Sequence, residues 1–179
     1  MQHETPLIFS DLVWVADPAP YATVQTWQRR GVLPQPGEDG RYVAPDLVMT
    51  ALFARLARVS PDLATAKRRA EALVPETAKL CAAALAGGAM PECAIAAFGL
   101  RPDGSEPAVL AVSVEATNGA LVGAFEGGSD LLLVRLERTI TRVVEALRFA
   151  AARERRRGRG TLPLDLQPTT PAQARHARD

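Results

Sequence analysis

Two proline-rich breaks enclose one short helical segment, and that arrangement constrains the chain more than any other feature in it. Asp17-Pro18-Ala19-Pro20 ends the segment before it, because each proline removes a backbone donor and restricts its predecessor. Pro34-Gln35-Pro36-Gly37-Glu38-Asp39-Gly40 is the second break, closing in an Asp-Gly pair that favours a hairpin turn. Between them, Tyr21 to Arg30 reads as a helix with Val24 and Trp27 three residues apart on one face. Gly31 is placed to take the left-handed conformation at its C-terminus.

The flanking segments read the same way. Phe9, Leu12, Val13 and Val15 surround Asp11 as a first short helix. Pro45 and Asp46 open another, with Leu47, Val48, Ala51, Leu52 and Leu56 at helical spacing. Ser60-Pro61-Asp62 restarts a helix to about Leu73, with Ser60 as N-cap and Pro61 in the first turn; Pro75 closes this unit.

Beyond it, an Ala-rich helix should end at Gly87-Gly88. Cys93 to Leu100 and Ala108 to Ala116 flank Arg101-Pro102-Asp103-Gly104-Ser105 as a β-hairpin. Asn118-Gly119 marks a second turn, and Ala120 to Phe125 a third strand. From Ser129 the helical pattern returns. Leu133, Leu136, Ile140, Val143, Leu147 and Ala150 alternate three and four residues apart, a heptad seam. It suits either a core helix packed on the hairpin or a self-association surface, and its regularity favours the second. After Arg157 little apolar material is left to bury, so a disordered tail is expected.

With 47% hydrophobic and only 5% aromatic residues, the core must be built mainly from Ala, Leu and Val. The net charge of +1 neither requires nor excludes a nucleic-acid partner, because basic residues can still segregate. Cys81 and Cys93 have no C-x-x-C spacing and no neighbouring histidine, which points to free buried thiols and not to a metal sensor. Glu38 and Asp39 are turn residues. No Ser/His/Asp set, phosphate loop or metal-ligand cluster is legible, so neither an enzyme nor a cofactor is expected. The N-terminal residues lack a secretory pattern and no stretch suits a bilayer, which leads to a cytoplasmic reading with no membrane partner.

Double-stranded DNA is the partner that the N-terminal pattern suggests. A reader of DNA needs a rigid helix whose outer face enters the major groove, with donors beside it to grip phosphates. With Val24 and Trp27 turned inward, Thr23, Gln25, Thr26, Gln28, Arg29 and Arg30 are left for base edges and phosphates. Arg41 and Tyr42, just past the Asp-Gly turn, would form a wing against the flanking groove; Tyr42 is also a packing candidate. Arg153, Arg155, Arg156, Arg157 and Arg159 form the one dense basic cluster, readable as a solvated helix end or as a phosphate attractor.

Thr23 to Pro34, with the sequence TVQTWQRRGVLP, resembles the recognition helix and following turn of MerR-like winged helix-turn-helix proteins. Gly40-Arg41-Tyr42 and Val43-Ala44-Pro45-Asp46-Leu47 resemble that family's wing end and next helix. Ser60-Pro61-Asp62-Leu63 matches the start of its fourth helix. The likeness covers Leu7 to Leu73 and is shared with the compact MerR-like domains of phage terminase small subunits and excisionases. A basic residue usual in the family is Gln25 here, and the wing is slightly longer.

The resemblance implies sequence-specific DNA binding, with a homodimeric transcriptional regulator as the first reading. A DNA-packaging or excisionase-like factor is the second, and a protein-interaction module without DNA binding the third. The expected fold is mainly α, with a winged helix-turn-helix over 1–75, then a small α/β region over 76–128. An amphipathic dimerisation helix over 129–157 and a disordered tail over 158–179 complete it.

Overall fold

The computed structural model describes residues 6–100, 108–113, 118–119 and 130–156. The described chain is mainly helical with one small antiparallel sheet. Helix α1 (Phe9–Val15) begins where the Asp11 carboxylate accepts from the Ile8 amide at 2.8 Å, satisfying one of the orphan donors of its first turn. It buries Leu12 and Val15. Helix α2 (Tyr21–Arg29) comes directly after Pro20 and ends at Gly31, whose φ of +67° is the left-handed turn read from the sequence.

Helix α3 (Ala44–Leu56) starts as α1 does, with the Val43 amide donating to Asp46 at 3.0 Å. It is buried along nearly its whole length, so it is the central post of the fold. Its Phe53 is fully buried.

Helix α4 (Leu63–Leu85) corrects two expectations. Its N-cap is Asp62 and not Ser60: Asp62 accepts from the Thr65 amide at 2.7 Å and the Thr65 hydroxyl at 3.0 Å. These bonds hold the Asp62 carboxyl below its usual range. Pro75 does not close the unit either, since α4 runs straight through it. A helix-interior proline costs about 3 kcal/mol. The stripe Ala66, Ala70, Leu73, Thr77, Ala78, Cys81 and Ala84 is buried on both sides of it, and that continuous burial outweighs the lost bond. The boundary expected at residue 75 therefore falls inside a helix, and one apolar cluster spans both sides of it. Gly87, at φ +94°, ends the helix as expected, and a Cβ on Gly88 would meet the Ala83 carbonyl oxygen at 2.7 Å.

Strands β1 (Ile95–Leu100) and β2 (Ala108–Ala111) form the expected antiparallel pair. The third strand is β3 (Asp130–Arg135), which pairs with β1 on the other side to give the order β2-β1-β3. This corrects the reading of Leu133 as helical. The run Leu131-Leu132-Leu133-Val134 is short and continuously apolar, and periodicity alone does not separate a strand from a buried helix there. Leu132 and Val134 turn toward the core, while Leu133 is 42% exposed. Asn118 and Gly119 have helical backbone instead of a hairpin turn. The strand read at 120–125 and the tail at 158–179 lie outside the described residues.

Helix α5 (Glu137–Arg156) closes the core against α1, α3 and α4. Leu136, Ile140, Val143, Leu147 and Ala150, the rest of the heptad seam, are all at most 1% exposed within this one chain. Their periodicity is that of an intramolecular core helix. The seam is thus not available as a dimer surface.

An ion pair ties the C-terminal half of α5 to the start of the chain. Arg153 forks onto both Asp11 carboxylate oxygens at 3.0 and 2.9 Å and donates to the Pro6 carbonyl at 3.0 Å. The Asp11 hydrogen bond raises the Arg153 pKa further against partial burial. Arg153→Met should cost about 1–3 kcal/mol in urea unfolding, the range for charge-assisted bonds lost from a half-buried site. A change below about 0.5 kcal/mol would make the pair ornamental.

Candidate nucleic-acid interface

The face of α2 opposite Val24 is the surface on which the functional reading rests. Val24 is fully buried, and Trp27 meets Phe53 of α3 edge to face, 5.0 Å between centroids. These contacts set the rotation of α2 about its axis. At 100° per residue, they turn Ala22, Gln25, Thr26 and Arg29 outward, with Thr23 and Arg30 at the margin.

The C-terminal end of α2 is pinned from several directions. The Val32 amide returns to the Trp27 carbonyl at 3.0 Å, and Lys67 of α4 donates to the Gly31 carbonyl at 3.3 Å. Gln35 donates to the Gln28 carbonyl at 2.5 Å. The Trp27 and Gln28 carbonyls belong to the last turn of α2, which a helix terminus leaves without an intrahelical partner, and the Gly31 carbonyl lies just beyond it. Position and rotation are both fixed.

The expected site residues divide into two groups. Thr26, Arg29, Arg30 and Arg41 are exposed, and Thr23 and Gln25 are half-buried. Thr26 donates its hydroxyl to the Ala22 carbonyl at 2.8 Å, which leaves the exposed hydroxyl oxygen to act as an acceptor. The side chains of Arg29 and Arg30 have no hydrogen-bond or ion-pair partner among the described residues. Gln28 and Tyr42 instead serve each other. The Gln28 amide donates to the Tyr42 hydroxyl and, at 3.3 Å, to the Pro34 carbonyl, and Tyr42 is 5% exposed. Both brace the loop after α2.

That loop, 34–42, is not a two-stranded wing. Gly37 donates to the Arg41 carbonyl at 2.8 Å, Gly40 turns at φ +74°, and Tyr42 makes a single antiparallel bridge to Leu7. Pro34 and Pro36 have no N–H to give a ladder, and the Gly37 and Gly40 amides are spent on bonds within the turn itself. Arg41 projects from the turn, 3.6 Å from Asp39, with both side chains more than half exposed. The pair is worth little in water.

Two neighbours of the site have no clear signal in the sequence. Ala22 shares the outward face, marked only by its position four residues before Thr26. Lys67 lies 36 residues away from Gly31 in sequence, and no local pattern announces such a contact.

Of the two cysteines expected to be buried, Cys81 is, whereas Cys93 is only partly covered. Cys81 is fully buried, and burial pushes its pKa up from 9.0 to about 12. The folded chain therefore holds that proton where the unfolded chain releases it. Its contribution is intact below about pH 9 and is lost as pH rises from there toward about 12. Native protein at about pH 8 should leave Cys81 unmodified by a thiol reagent until denaturant is added. Rapid labelling of Cys81 in the folded chain would contradict its placement. Among the described residues, no cluster of three or more His, Cys, Asp or Glu could hold a metal, and no helix is long and apolar enough to cross a membrane.

The chain matches neither a known family pattern nor a curated protein.

Proposed function

We propose that this protein binds double-stranded DNA, with α2 as its reading helix and the 34–42 loop as a flank contact. One observation carries the reading. A short helix, locked in rotation by Val24 and Trp27, presents Gln25, Thr26, Arg29 and Arg30 together, and its two arginines have no internal partner among the described residues. Amide and hydroxyl groups read base edges, while guanidinium groups grip guanine or phosphate. Thr23 and Arg41 extend the contact to the margins. The packing of α1 on α2 and α3, with Trp27 of α2 against Phe53 of α3, supports a helix-turn-helix, and the Leu7–Tyr42 bridge is consistent with the base of a reduced wing.

A MerR-like transcriptional regulator working as a homodimer remains our reading of the biological role. The dimer must use a surface other than the Leu136–Ala150 seam, which this chain's own core covers. Titration with labelled genomic fragments at two salt concentrations tests DNA binding directly. Binding that weakens steeply with salt is expected, and none at either concentration refutes the proposal. Solution mass then separates a dimer from the larger ring of a packaging factor.

A further inference from the structure

The link between α1 and α2, the C-terminal end of α3 and the β3–α5 junction enclose a cleft of about 540 Å³. That volume is typical of small-molecule sites. Val15, Ala51 and Ala54, none more than 6% exposed, give it an apolar floor. Among the described residues, Arg55, Arg58, Arg135, Arg138 and Arg142 line it against two carboxylates, Asp17 and Glu137.

Those carboxylates are already committed. The Asp17 carboxylate pairs with Arg142, which also donates to the Asp17 carbonyl at 2.9 Å. Glu137 lies 3.3 Å from Arg135. Burial pushes the Glu137 pKa up, but the amides of Glu137 and Ala94 together with Arg135 outweigh it and hold the carboxyl below its usual range. Arg55 donates Nε to the Arg135 carbonyl at 3.3 Å, which uses one N–H and neutralises no charge. Arg58 and Arg138 have no hydrogen-bond or ion-pair partner among the described residues.

Helix dipoles account for only part of this arrangement. Arg55 and Arg58 stand at the C-terminal end of α3, where the last carbonyls favour a cation. Arg138 stands in the first turn of α5, the end where a cation is disfavoured. An anion in the cleft would give the Arg138 guanidinium a partner. Guanidinium forks match phosphate oxygens two at a time. A concave cleft with an apolar floor suits a small molecule better than a duplex, whose backbone meets exposed rims.

We infer that this cleft binds a small phosphorylated molecule, with its phosphates on Arg58 and Arg138 and its organic body on Val15, Ala51 and Ala54. The site is separate from the outward face of α2, and the inference does not depend on DNA binding. It does reach the link that leads into α2, because Arg142 grips both the carboxylate and the carbonyl of Asp17.

Calorimetric titration of the full chain with inorganic pyrophosphate and with ADP tests the inference. Saturable one-to-one binding of either probe is expected. It should weaken by about tenfold or more in Arg58→Ala/Arg138→Ala, which removes two charge-assisted contacts. Arg29→Ala/Arg30→Ala should leave it within about twofold, because those arginines lie outside the cleft. Matched thermal melts show that both variants fold. No saturable heat with either probe overturns the inference, as does an equal loss in the two variants. So does loss of duplex binding in the cleft variant when the parent binds neither probe, which would make the cleft part of the DNA face.

Discussion

Replacing Arg29 and Arg30 together with alanine is expected to weaken duplex DNA binding about a hundredfold at about 0.1 M salt. Both side chains are exposed and lack an internal partner among the described residues, so the change removes the proposed contacts to DNA and little within the fold. Stability should stay within about 0.5 kcal/mol, as for other surface substitutions. The salt dependence carries the diagnosis. Each guanidinium that displaces a condensed counterion adds about 0.9 to the slope of log K against log salt, so the double variant should lose about 1.8. A variant that binds as tightly as the parent, with the same slope, would remove α2 from the interface.

How much of the fold is legible in the sequence depends on how local each signal is. Gly31, Pro45 and Gly87 mark conformations that the neighbouring backbone decides, and each stands where the sequence places it. The inward turn of Val24 and Trp27 is legible because three-residue spacing fixes a helix face. The long-range choices are not. Leu131 to Val134 suits a strand or a helix until β1 is present to pair with it. Pro75 is a breaker in isolation, and it is tolerated because Thr77, Ala78, Cys81 and Ala84 continue the stripe begun by Ala66. The heptad seam is real, but a seam carries no label for the partner that covers it.

The site divides along the same line. Arg29, Arg30, Thr26 and Arg41 are outward, as helix phase and turn position imply. Gln28 and Tyr42 meet through a loop closure, and nothing in the local pattern pairs residues 14 apart across two prolines. The arginine cleft is less legible still. Its five guanidiniums come from α3 and the turn after it, β3 and α5, and Val15, Asp17 and Pro18 join it to the helix pair read as the DNA-binding unit. A count that gives +1 for the whole chain hides such a concentration.

Phe53→Ala is the second large effect, and it tests how α2 is held rather than what α2 touches. Phe53 is fully buried in α3, and its ring meets Trp27 edge to face at 5.0 Å. Truncation removes the ring's transfer energy, opens a cavity and deletes the aromatic pair, for a loss of about 3–5 kcal/mol. For a domain of this length each kcal/mol lowers Tm by about 2–4 °C, so a fall of about 6–20 °C is expected. Below that transition the variant should also bind DNA more weakly, because Trp27 loses the wall that fixes the rotation of α2. The salt slope should remain that of the parent, since every guanidinium is still present. The two substitutions thus separate positioning from contact: one lowers Tm and keeps the slope, the other lowers the slope and keeps Tm. If Phe53→Ala lowers Tm by less than about 3 °C, the Trp27–Phe53 contact does not anchor α2, and the rotation that aims Arg29 outward must be set elsewhere.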